Sequence, residues 1–434
     1  MMTPQQMDQL KPFEARAIIE ELRKGSVPVD YVPFFTVGRE NWLTLIEDDL
    51  DKYIAEGGAK VRFLSGDYGD GKTHFMSVIR HMALQKGFAV SFVVLTREVP
   101  IHKFEAVYQA IVKQLRGRFE GIGIHNLLDD YISTAVKGLA LEDGSPSPEK
   151  LADISNEIRS LPGMDINFAN GVIALLNNRL KPLAEGESQE ERDNAREVLH
   201  LWFEGGKIAK KDIKPYHIFE VINKANSKNF LNALIVFLRF TEYQGLILLM
   251  DELETVVSQG KSIRNAAYEN VRLLIDNTEQ AGYLHIFFSI IPDILESEKG
   301  FKSYDALWSR VRSIGENKRL NYRGVLIDLH RTPLKTKELT ALGKTLRTIH
   351  GISYRWDAEE RIPDSLLEDI CKNQKKMGVL SEVRLFVKQV ISILDMGEQG
   401  NDAIEALDLT AQMVQTQDEV EKEKIQHLQP KWDS

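Results

Sequence analysis

A glycine-rich segment near residue 70 sets the strongest limit on how this 434-residue chain folds. Residues 66–73 read Gly-Asp-Tyr-Gly-Asp-Gly-Lys-Thr and fit the pattern G-x-x-x-x-G-K-[ST]. A strand-like run over 60–65 precedes the segment, and a helical run starts at about Lys72. Glycines let successive backbone N–H groups curve around a phosphate, and a helix N-terminus adds partial positive charge. The alternative is a glycine turn that binds nothing, but the strand–loop–helix context favours a phosphate-binding loop.

The residue types of this loop predict how it binds a nucleotide. Lys72 is expected to reach the β- and γ-phosphates, and the Thr73 hydroxyl is expected to ligate Mg²⁺. ATP and Mg²⁺ are therefore the predicted cofactors. The residues predicted to bind the nucleotide are Gly66, Asp67, Tyr68, Gly69, Asp70, Gly71, Lys72, Thr73 and His74.

A second motif follows an apolar run over 245–250, which is typical of a buried strand. Asp251 and Glu252 come directly after it. A P-loop ATPase needs an acid that positions the metal at the end of a core strand, and a base that polarises the attacking water. We assign the first role to Asp251 and the second to Glu252; the alternative is a strand that simply ends in solvated acids. Glu254 is expected on the surface or in a salt bridge.

Three further positions are candidates for sensing the γ-phosphate or for stabilising charge in the transition state. Ser289 is a small polar residue late in the apolar run 284–291, where its hydroxyl contacts the γ-phosphate, orients the water or bonds to neighbouring backbone. Arg310 or Arg312 is the candidate for an arginine finger that reaches the nucleotide of a neighbouring subunit, with a surface salt bridge as the alternative. Arg384, near the start of a late helix, is a candidate sensor on the lid side.

Strand-like and helical runs alternate along the first 330 residues, and only helical runs follow. The predicted strands are 60–65, 88–95, 245–250, 284–291 and 325–329, and the predicted helices include 13–24, 40–54, 101–116, 229–240, 335–350, 363–372 and 381–394. This order predicts an α/β fold in which a parallel sheet is flanked by helices and followed by a helical lid. The predicted parts are an N-terminal helical segment (1–59), a core (60–330) with a helical insertion (120–235), a lid (331–400) and a peripheral helix or tail (401–434).

Composition excludes several classes of protein. Cys371, the single cysteine, excludes an intramolecular disulfide and a multi-cysteine zinc site. The apolar runs fall short of the roughly 20 residues that a membrane helix needs, and the first residues lack the pattern of a signal peptide, so we expect a cytoplasmic protein with no membrane partner. With 55 basic and 64 acidic side chains, the formal net charge of −9 argues against bulk attraction to nucleic acid. Lysine clusters within 207–214 and 372–376 are interpreted as solvated faces rather than DNA sites.

Taken in this order, the phosphate loop, the Asp-Glu pair, the polar strand residue, the arginines and the helical lid resemble an AAA+ ATPase. The chain is similar to origin-recognition-type initiators, in which a Gly-Arg-Glu box comes just before the first core strand; Gly38-Arg39-Glu40 stands in that place. More narrowly, the chain resembles the BREX-system ATP-binding proteins of bacterial phage defence (BrxD-like). The segments that carry this resemblance are 16–28, 37–40, 66–73 and 243–254.

The resemblance implies a role for the box and a function for the whole chain. Gly38 and Arg39 would frame the adenine. The protein would be the ATPase component of a multi-gene antiviral system, acting on or beside DNA with other defence proteins as a ring or partial ring. Our first hypothesis is hydrolysis coupled to remodelling of DNA or a partner, and the second is a nucleotide-dependent switch that recruits an effector with little turnover. A metabolic kinase is a third hypothesis, which the helical lid and the late arginines disfavour.

Overall fold

Six strands form a sheet at the centre of the part of the chain that the structure describes. That part of the computed structural model comprises residue 7 and residues 9–139, 147–180, 188–312, 320–376 and 382–400. The strands are β1 (Ala59–Ser65), β2 (Ala89–Val94), β3 (Leu115–Arg116), β4 (Leu246–Asp251), β5 (Leu284–Ile290) and β6 (Leu326–Asp328). Their order across the sheet is β3-β2-β4-β5-β1-β6. All neighbouring pairs are parallel except β2 and β3, which pair antiparallel at one edge.

Helices make up most of the remaining described residues. They are α1 (Pro12–Arg23), α2 (Glu40–Asp49), α3 (Lys72–Gln85), α4 (Phe104–Lys113), α5 (Ile124–Leu139), α6 (Pro148–Ser160), α7 (Ile166–Leu180), α8 (Gln189–Phe203), α9 (Lys210–Ile213), α10 (Ser227–Phe240), α11 (Lys261–Ala281), α12 (Asp293–Glu296), α13 (Asp305–Val311), α14 (Thr336–Tyr354), α15 (Ala358–Arg361), α16 (Asp364–Lys376) and α17 (Val383–Glu398). Within the described ranges, none of these helices combines the length and the apolar character needed to cross a membrane.

Both faces of the sheet are covered because its central strands are apolar on both sides. β4 and β5 are buried at every position. Successive side chains of a strand point to opposite faces, so Ile247 packs on one face with Trp42 of α2 and Ile79 of α3. Leu248 packs on the other face in a cluster that also contains residues of α4, of α11, of α10 (Phe237 among them) and of the helices between α4 and α10.

A separate hydrophobic cluster joins the N-terminal helix α1 to the C-terminal helices α14–α17, the region that the sequence predicts to be a lid. Ile18 and Leu22 of α1 pack in the same cluster as Leu346 of α14 and Val390 of α17. The face of α1 that carries Ile18 and Leu22 is therefore buried by residues more than 300 positions later in the chain. Helices α1, α14 and α17 therefore share one hydrophobic core, which is distinct from the two clusters that contain the sheet residues.

The predicted α/β fold with a mostly parallel sheet flanked by helices is confirmed. All five predicted strands are present within one residue of their predicted ends. The helix predicted over 101–116 is wrong at its end, because α4 stops at Lys113 and Leu115–Arg116 pairs with β2 instead. The apolar period continues through Leu115, but the open edge of β2 offers backbone groups that a strand satisfies and a helix does not. The tail predicted over 401–434 lies outside the described residues, and the AAA+ assignment and the division into parts stay predictions.

Candidate nucleotide-binding site

The carboxyl ends of β1, β4 and β5 carry three of the predicted motifs. Parallel neighbours end at the same edge of a sheet, and the register pairs Ser65 with Ile290 and Met250 with Phe288. The glycine-rich loop follows β1, Asp251 ends β4, and Ser289 lies late in β5. The sheet therefore brings together motifs that are far apart in the sequence.

The loop of residues 66–73 turns tightly between β1 and α3. Gly69 and Gly71 have φ values of 94° and 87°, in the left-handed region that residues with a Cβ rarely adopt. Gly71 is the N-cap residue of α3. The first backbone N–H groups of α3 have no partner within the helix, and its dipole adds positive charge at this end. This end of α3 can bind an anion such as a phosphate.

The two aspartates of the loop pair with a histidine that follows β6. Asp70 is buried, and its carboxylate accepts a hydrogen bond from the Asp67 N–H at 2.8 Å. His330 Nδ1 lies 3.3 Å from Asp67 Oδ2 and 3.5 Å from Asp70 Oδ2. Burial raises the pKa of Asp70. The negative charge of a carboxylate repels a phosphate, but both of these carboxylates lie against His330. The loop backbone and Lys72 are the groups suited to bind the phosphates.

The Lys72 ammonium lies inside the loop. Its Nζ donates to the carbonyl oxygen of Gly66 at 2.8 Å and to that of Asp67 at 3.3 Å. The Tyr68 ring centroid is 5.2 Å from the same nitrogen. Burial raises the pKa of Tyr68 to about 12, and the nearby negative charges of Glu254 and Glu252 act in the same direction.

The two residues predicted to hold Mg²⁺ are in direct contact. The Thr73 hydroxyl donates to Asp251 Oδ2 at 2.8 Å, from the first turn of α3 to the end of β4. Hydroxyl and carboxylate oxygens are ligands that Mg²⁺ prefers, and Mg²⁺ usually takes only one or two protein ligands beside phosphate oxygens and water. These side chains therefore fit a magnesium site beside the phosphate loop.

Ser289 lies beneath the acidic pair and is fully buried. Its hydroxyl donates to Asp251 Oδ1 and accepts a hydrogen bond from the Glu252 N–H at 2.9 Å. Of the possibilities that the sequence left open, the bond to neighbouring backbone is present, and the bond to Asp251 is an addition. Glu252 has a φ of 64°, a conformation that is costly for a residue with a long side chain. The hydrogen bond that the Glu252 N–H donates to Ser289 stabilises the backbone of Glu252 in this conformation.

Glu254 is the site residue that sequence reasoning missed. Its side chain is 7% exposed, and its Oε1 lies 4.0 Å from Lys72 Nζ. Burial raises the pKa of Glu254 to about 7, although the charge of Lys72 opposes this shift. The expectation of a surface position is wrong, and the alternative of a salt bridge is correct. The 3₁₀ turn Leu253–Ser258 directs the side chain inward, and the acidic residue just past the strand end was the signal that could have found it.

The Gly-Arg-Glu box lies against the phosphate loop. Gly38 and Arg39 have φ values of 68° and 62°, and the Arg39 guanidinium donates to the Asp70 carbonyl at 2.6 Å. Burial lowers the pKa of Arg39 to about 10. His74 lies in the first turn of α3, and its Nε2 is 3.1 Å from the Thr36 hydroxyl. Burial lowers the pKa of His74 to about 3, so its ring is neutral at pH 7.

A cleft of about 1170 Å³ lies between the N-terminal segment, the phosphate loop and the lid. One end is polar and contains Lys72, Thr73, Asp251, Glu252 and Glu254. The other end is apolar and includes Leu22, Val27, Phe35, Val37, Leu43, Leu334, Leu342, Val383 and Val387. The backbone N–H of Arg384 donates to the Gly69 carbonyl at 3.2 Å, so the lid helix α17 touches the phosphate loop directly. Polar groups at one end of an apolar cleft are typical of a small-molecule site.

The candidate arginine fingers lie elsewhere. Arg310 on α13 donates to Asp276 Oδ2 at 2.9 Å, and Arg272 donates to the same oxygen at 2.7 Å. Arg312 is exposed just past the end of α13. Among the described residues, Arg310 and Arg312 are not part of the cleft lining. A finger role for either residue stays a prediction.

A mostly parallel sheet with a glycine-rich loop between β1 and α3, and an acid at the end of a nearby strand, is typical of the P-loop nucleotide-binding class. The chain belongs to the BREX system ATP-binding protein BrxC/D family, whose model matches residues 10–412. It is therefore an ATP-binding component of a BREX defence system, and the resemblance to this family is confirmed. Searches of curated proteins and of solved structures each found no match.

Proposed function

We propose that this protein binds ATP with Mg²⁺ in the cleft and hydrolyses it, and that it couples nucleotide state to the remodelling of DNA or of a partner protein. The observation that carries the proposal is the hydrogen bond between Thr73 and Asp251, beside Lys72 and next to Glu252. A protein that only binds a nucleotide does not need a strained glutamate beside the metal position.

Each side chain has a defined role in this proposal. Lys72 and the N-terminus of α3 bind the phosphates, and Thr73 and Asp251 hold Mg²⁺. When bound, Mg²⁺ neutralises phosphate charge in the transition state. Glu252 accepts a proton from the attacking water, and Ser289 positions Asp251 and the Glu252 backbone. The apolar end of the cleft binds the adenine with Gly38 and Arg39 at its border, and Arg384 senses the γ-phosphate from the lid.

A nucleotide-dependent switch with little turnover is the second candidate. The hydrogen bond between the Arg384 N–H and the Gly69 carbonyl favours this switch, because it places α17 in contact with the loop that would bind the phosphates. A change of nucleotide would then move the lid and α1 together, since the two share one hydrophobic cluster.

Membership of a BREX system implies other defence proteins as partners. We propose further that the protein works in the cytoplasm as a homo-oligomer, in a ring or partial ring, and that DNA is one of its partners. An arginine from a neighbouring subunit, Arg310 or Arg312, would complete each site in such a ring.

The experiment that tests the function measures ATP binding and ATP hydrolysis by the full chain, with and without duplex DNA. Lys72→Ala is expected to lose ATP binding, and Glu252→Gln is expected to keep binding and lose turnover by about 10²- to 10⁴-fold. Glu242→Gln is the matched control, because Glu242 is exposed and also has a positive φ of 65°. Lys113→Ala, on an exposed position of α4, controls for the loss of a lysine.

Each outcome selects between the candidates. Turnover that DNA stimulates and that both variants lose supports a DNA-coupled ATPase. Tight ATP binding without turnover, with or without DNA, supports the switch. ATP binding that survives Lys72→Ala contradicts the phosphate loop as the site.

A further inference from the structure

One buried acid of the site has no role in the function proposed above. The Glu254 side chain is 7% exposed and lies 4.0 Å from the ammonium of Lys72, which is 8% exposed. Its second oxygen, Oε2, is buried and has no hydrogen-bond partner among the described atoms. A buried carboxylate with so few hydrogen bonds depends on a nearby positive charge to stay ionised.

Lys72 is shared between Glu254 and the phosphate loop. An ammonium has three N–H donors. Lys72 donates hydrogen bonds to the carbonyl oxygens of Gly66 and Asp67, and its positive charge pairs with the Glu254 carboxylate. To bind the phosphates of ATP, Lys72 has to leave this arrangement. Phosphate and Glu254 therefore compete for one ammonium.

The groups around Glu254 determine its protonation state once Lys72 leaves. Lys72 on α3 is the cation that acts most strongly on Glu254, and Asp251 and Glu252 at the end of β4 are the anions. Tyr68 of the phosphate loop is also close to it. Glu254 lines a second groove, which also contains Arg97, His102, Asp293, Glu298 and Lys299. Without Lys72, a buried carboxylate would face two acids and the charge of ATP, which strongly favours its protonated form.

We propose that Glu254 is the resident counter-ion of Lys72, and that ATP binding moves the ammonium to the phosphates while the Glu254 carboxylate takes up one proton. The proton comes from water or buffer, one O–H bond forms on Glu254, and no electron is transferred. Glu254 is then a positioning residue that acts through Lys72. The proposal rests on the function proposed above. It makes ATP affinity fall as the pH rises, because ionised Glu254 competes with the phosphates and protonated Glu254 does not.

The test is calorimetric titration of the full chain with Mg²⁺ and the non-hydrolysed analogue adenosine β,γ-imidotriphosphate, from pH 6 to pH 8.5. Two buffers of different ionisation enthalpy give the number of protons taken up. Subtracting the result for Glu254→Gln removes the titration of the nucleotide itself. We expect wild type to take up about one proton more than Glu254→Gln above pH 7. We also expect Glu254→Gln to bind about tenfold tighter at pH 8 and to lose most of the pH dependence of affinity.

Controls separate this proposal from the nucleotide site itself. Glu254→Asp, which restores a carboxylate, should recover part of the pH dependence, whereas Glu242→Gln should match wild type. Equal proton uptake and equal affinity in wild type and Glu254→Gln would overturn the proposal. Nucleotide binding by Lys72→Ala would contradict the proposed function itself. Loss of binding in Lys72→Ala, with the affinity and proton uptake of Glu254→Gln equal to wild type, would contradict only the role of Glu254. Should Glu254→Gln not fold, wild type without proton uptake above pH 7 overturns the proposal alone.

Discussion

At the scale of single residues, the site concentrates unfavourable local features at the end of β4. Glu252 has a left-handed backbone conformation, and Glu254 is a buried acid. Each is stabilised by a side chain from another element, Ser289 of β5 for the Glu252 backbone and Lys72 of α3 for the Glu254 carboxylate. Strain and buried charge of this kind persist only where surrounding structure holds them, and they cluster at functional sites.

Ser289→Ala tests the positioning of Asp251 and Glu252. The variant removes a donor to Asp251 and an acceptor for the Glu252 N–H, while Lys72 and the loop proposed to bind phosphate remain. We expect ATP hydrolysis to fall about 10- to 100-fold, with ATP affinity within about threefold of wild type. Ser91→Ala is the matched control, since Ser91 is also fully buried in a strand and donates to the Ile111 carbonyl at 2.9 Å. Equal turnover in Ser289→Ala and wild type would contradict this role.

The burial of Glu254 should also make the free energy of unfolding depend on pH in the absence of nucleotide. Burial raises the pKa of Glu254 from 4.5 to about 7 in the folded chain. Below pH 4.5 Glu254 is protonated in both the folded and the unfolded chain, and its contribution to the free energy of unfolding is fully present. As the pH rises towards and through 7, the unfolded chain ionises first, so stability is lost. We expect wild type to lose up to about 3 kcal/mol relative to Glu254→Gln between pH 4.5 and pH 8, measured by urea unfolding. Parallel pH profiles for the two proteins would contradict the burial of this carboxyl.

At the scale of elements, the lid is held to α1 by an ion-pair network as well as by packing. The Arg23 guanidinium donates to both oxygens of Asp395 in α17, at 2.9 and 2.7 Å, and to the Tyr354 hydroxyl at 3.0 Å. Asp395 also contacts His350 Nε2 at 2.9 Å, and the Trp356 indole donates to His350 Nδ1 at 2.9 Å. Because His350 Nδ1 accepts a hydrogen bond, its Nε2 carries the proton and donates to Asp395. The network therefore spans α1, α14 and α17.

Arg23→Ala is expected to loosen the lid from α1. A bidentate pair between an arginine and a carboxylate is stronger than an ordinary surface pair, and these side chains are about one third and one quarter exposed. We expect the free energy of unfolding to fall by about 1–2 kcal/mol. Arg16→Ala on the same helix is the control, because Arg16 is 61% exposed and 3.9 Å from its partner Glu20, so its loss should cost less than about 0.5–1 kcal/mol. Thermal unfolding of both variants distinguishes the effects, and equal losses would remove the special role of Arg23.

At the scale of the whole molecule, the cleft is built from three regions that are distant in the sequence. The N-terminal segment, the phosphate loop and the lid all line it. A ligand in such a cleft stabilises all three regions at once, because each loses contacts with the ligand when it opens. Nucleotide binding should therefore act on α1 and α17 as well as on the loop.

Hydrogen exchange measured with and without ATP and Mg²⁺ checks this expectation. We expect exchange to slow by roughly tenfold or more in the phosphate loop, in residues 25–39 and in α17. Helix α7 of the insertion lies outside the cleft and should exchange at an unchanged rate. Protection limited to the phosphate loop would show that the lid and the N-terminal segment do not close on the nucleotide.

Sequence reasoning was most successful where the signal is local. The five predicted strands follow from short apolar runs, and the turn after β1 follows from glycines at positions that require a positive φ. It failed at Leu115, where the open edge of β2 overrides the helical period. At Glu254 it left a surface position and a salt bridge open, and a 3₁₀ turn directs the acid inward to Lys72. The partners, β2 for Leu115 and Lys72 for Glu254, are distant in the sequence. The acid just past the end of β4 is a local signal for Glu254, but only the fold shows that it meets Lys72.

Local patterns were enough to predict the fold class, the glycine-rich loop and the acids at the end of β4, because periodicity, glycine positions and strand ends depend on short-range physical chemistry. The three-dimensional fold was needed to show which groups meet: Thr73 with Asp251, Ser289 with the Glu252 backbone, and Lys72 with Glu254. It also decided that α1 packs with α14 and α17. These contacts depend on strand order, register and packing between distant segments, and such geometry is set by the whole folded chain rather than by any window of residues.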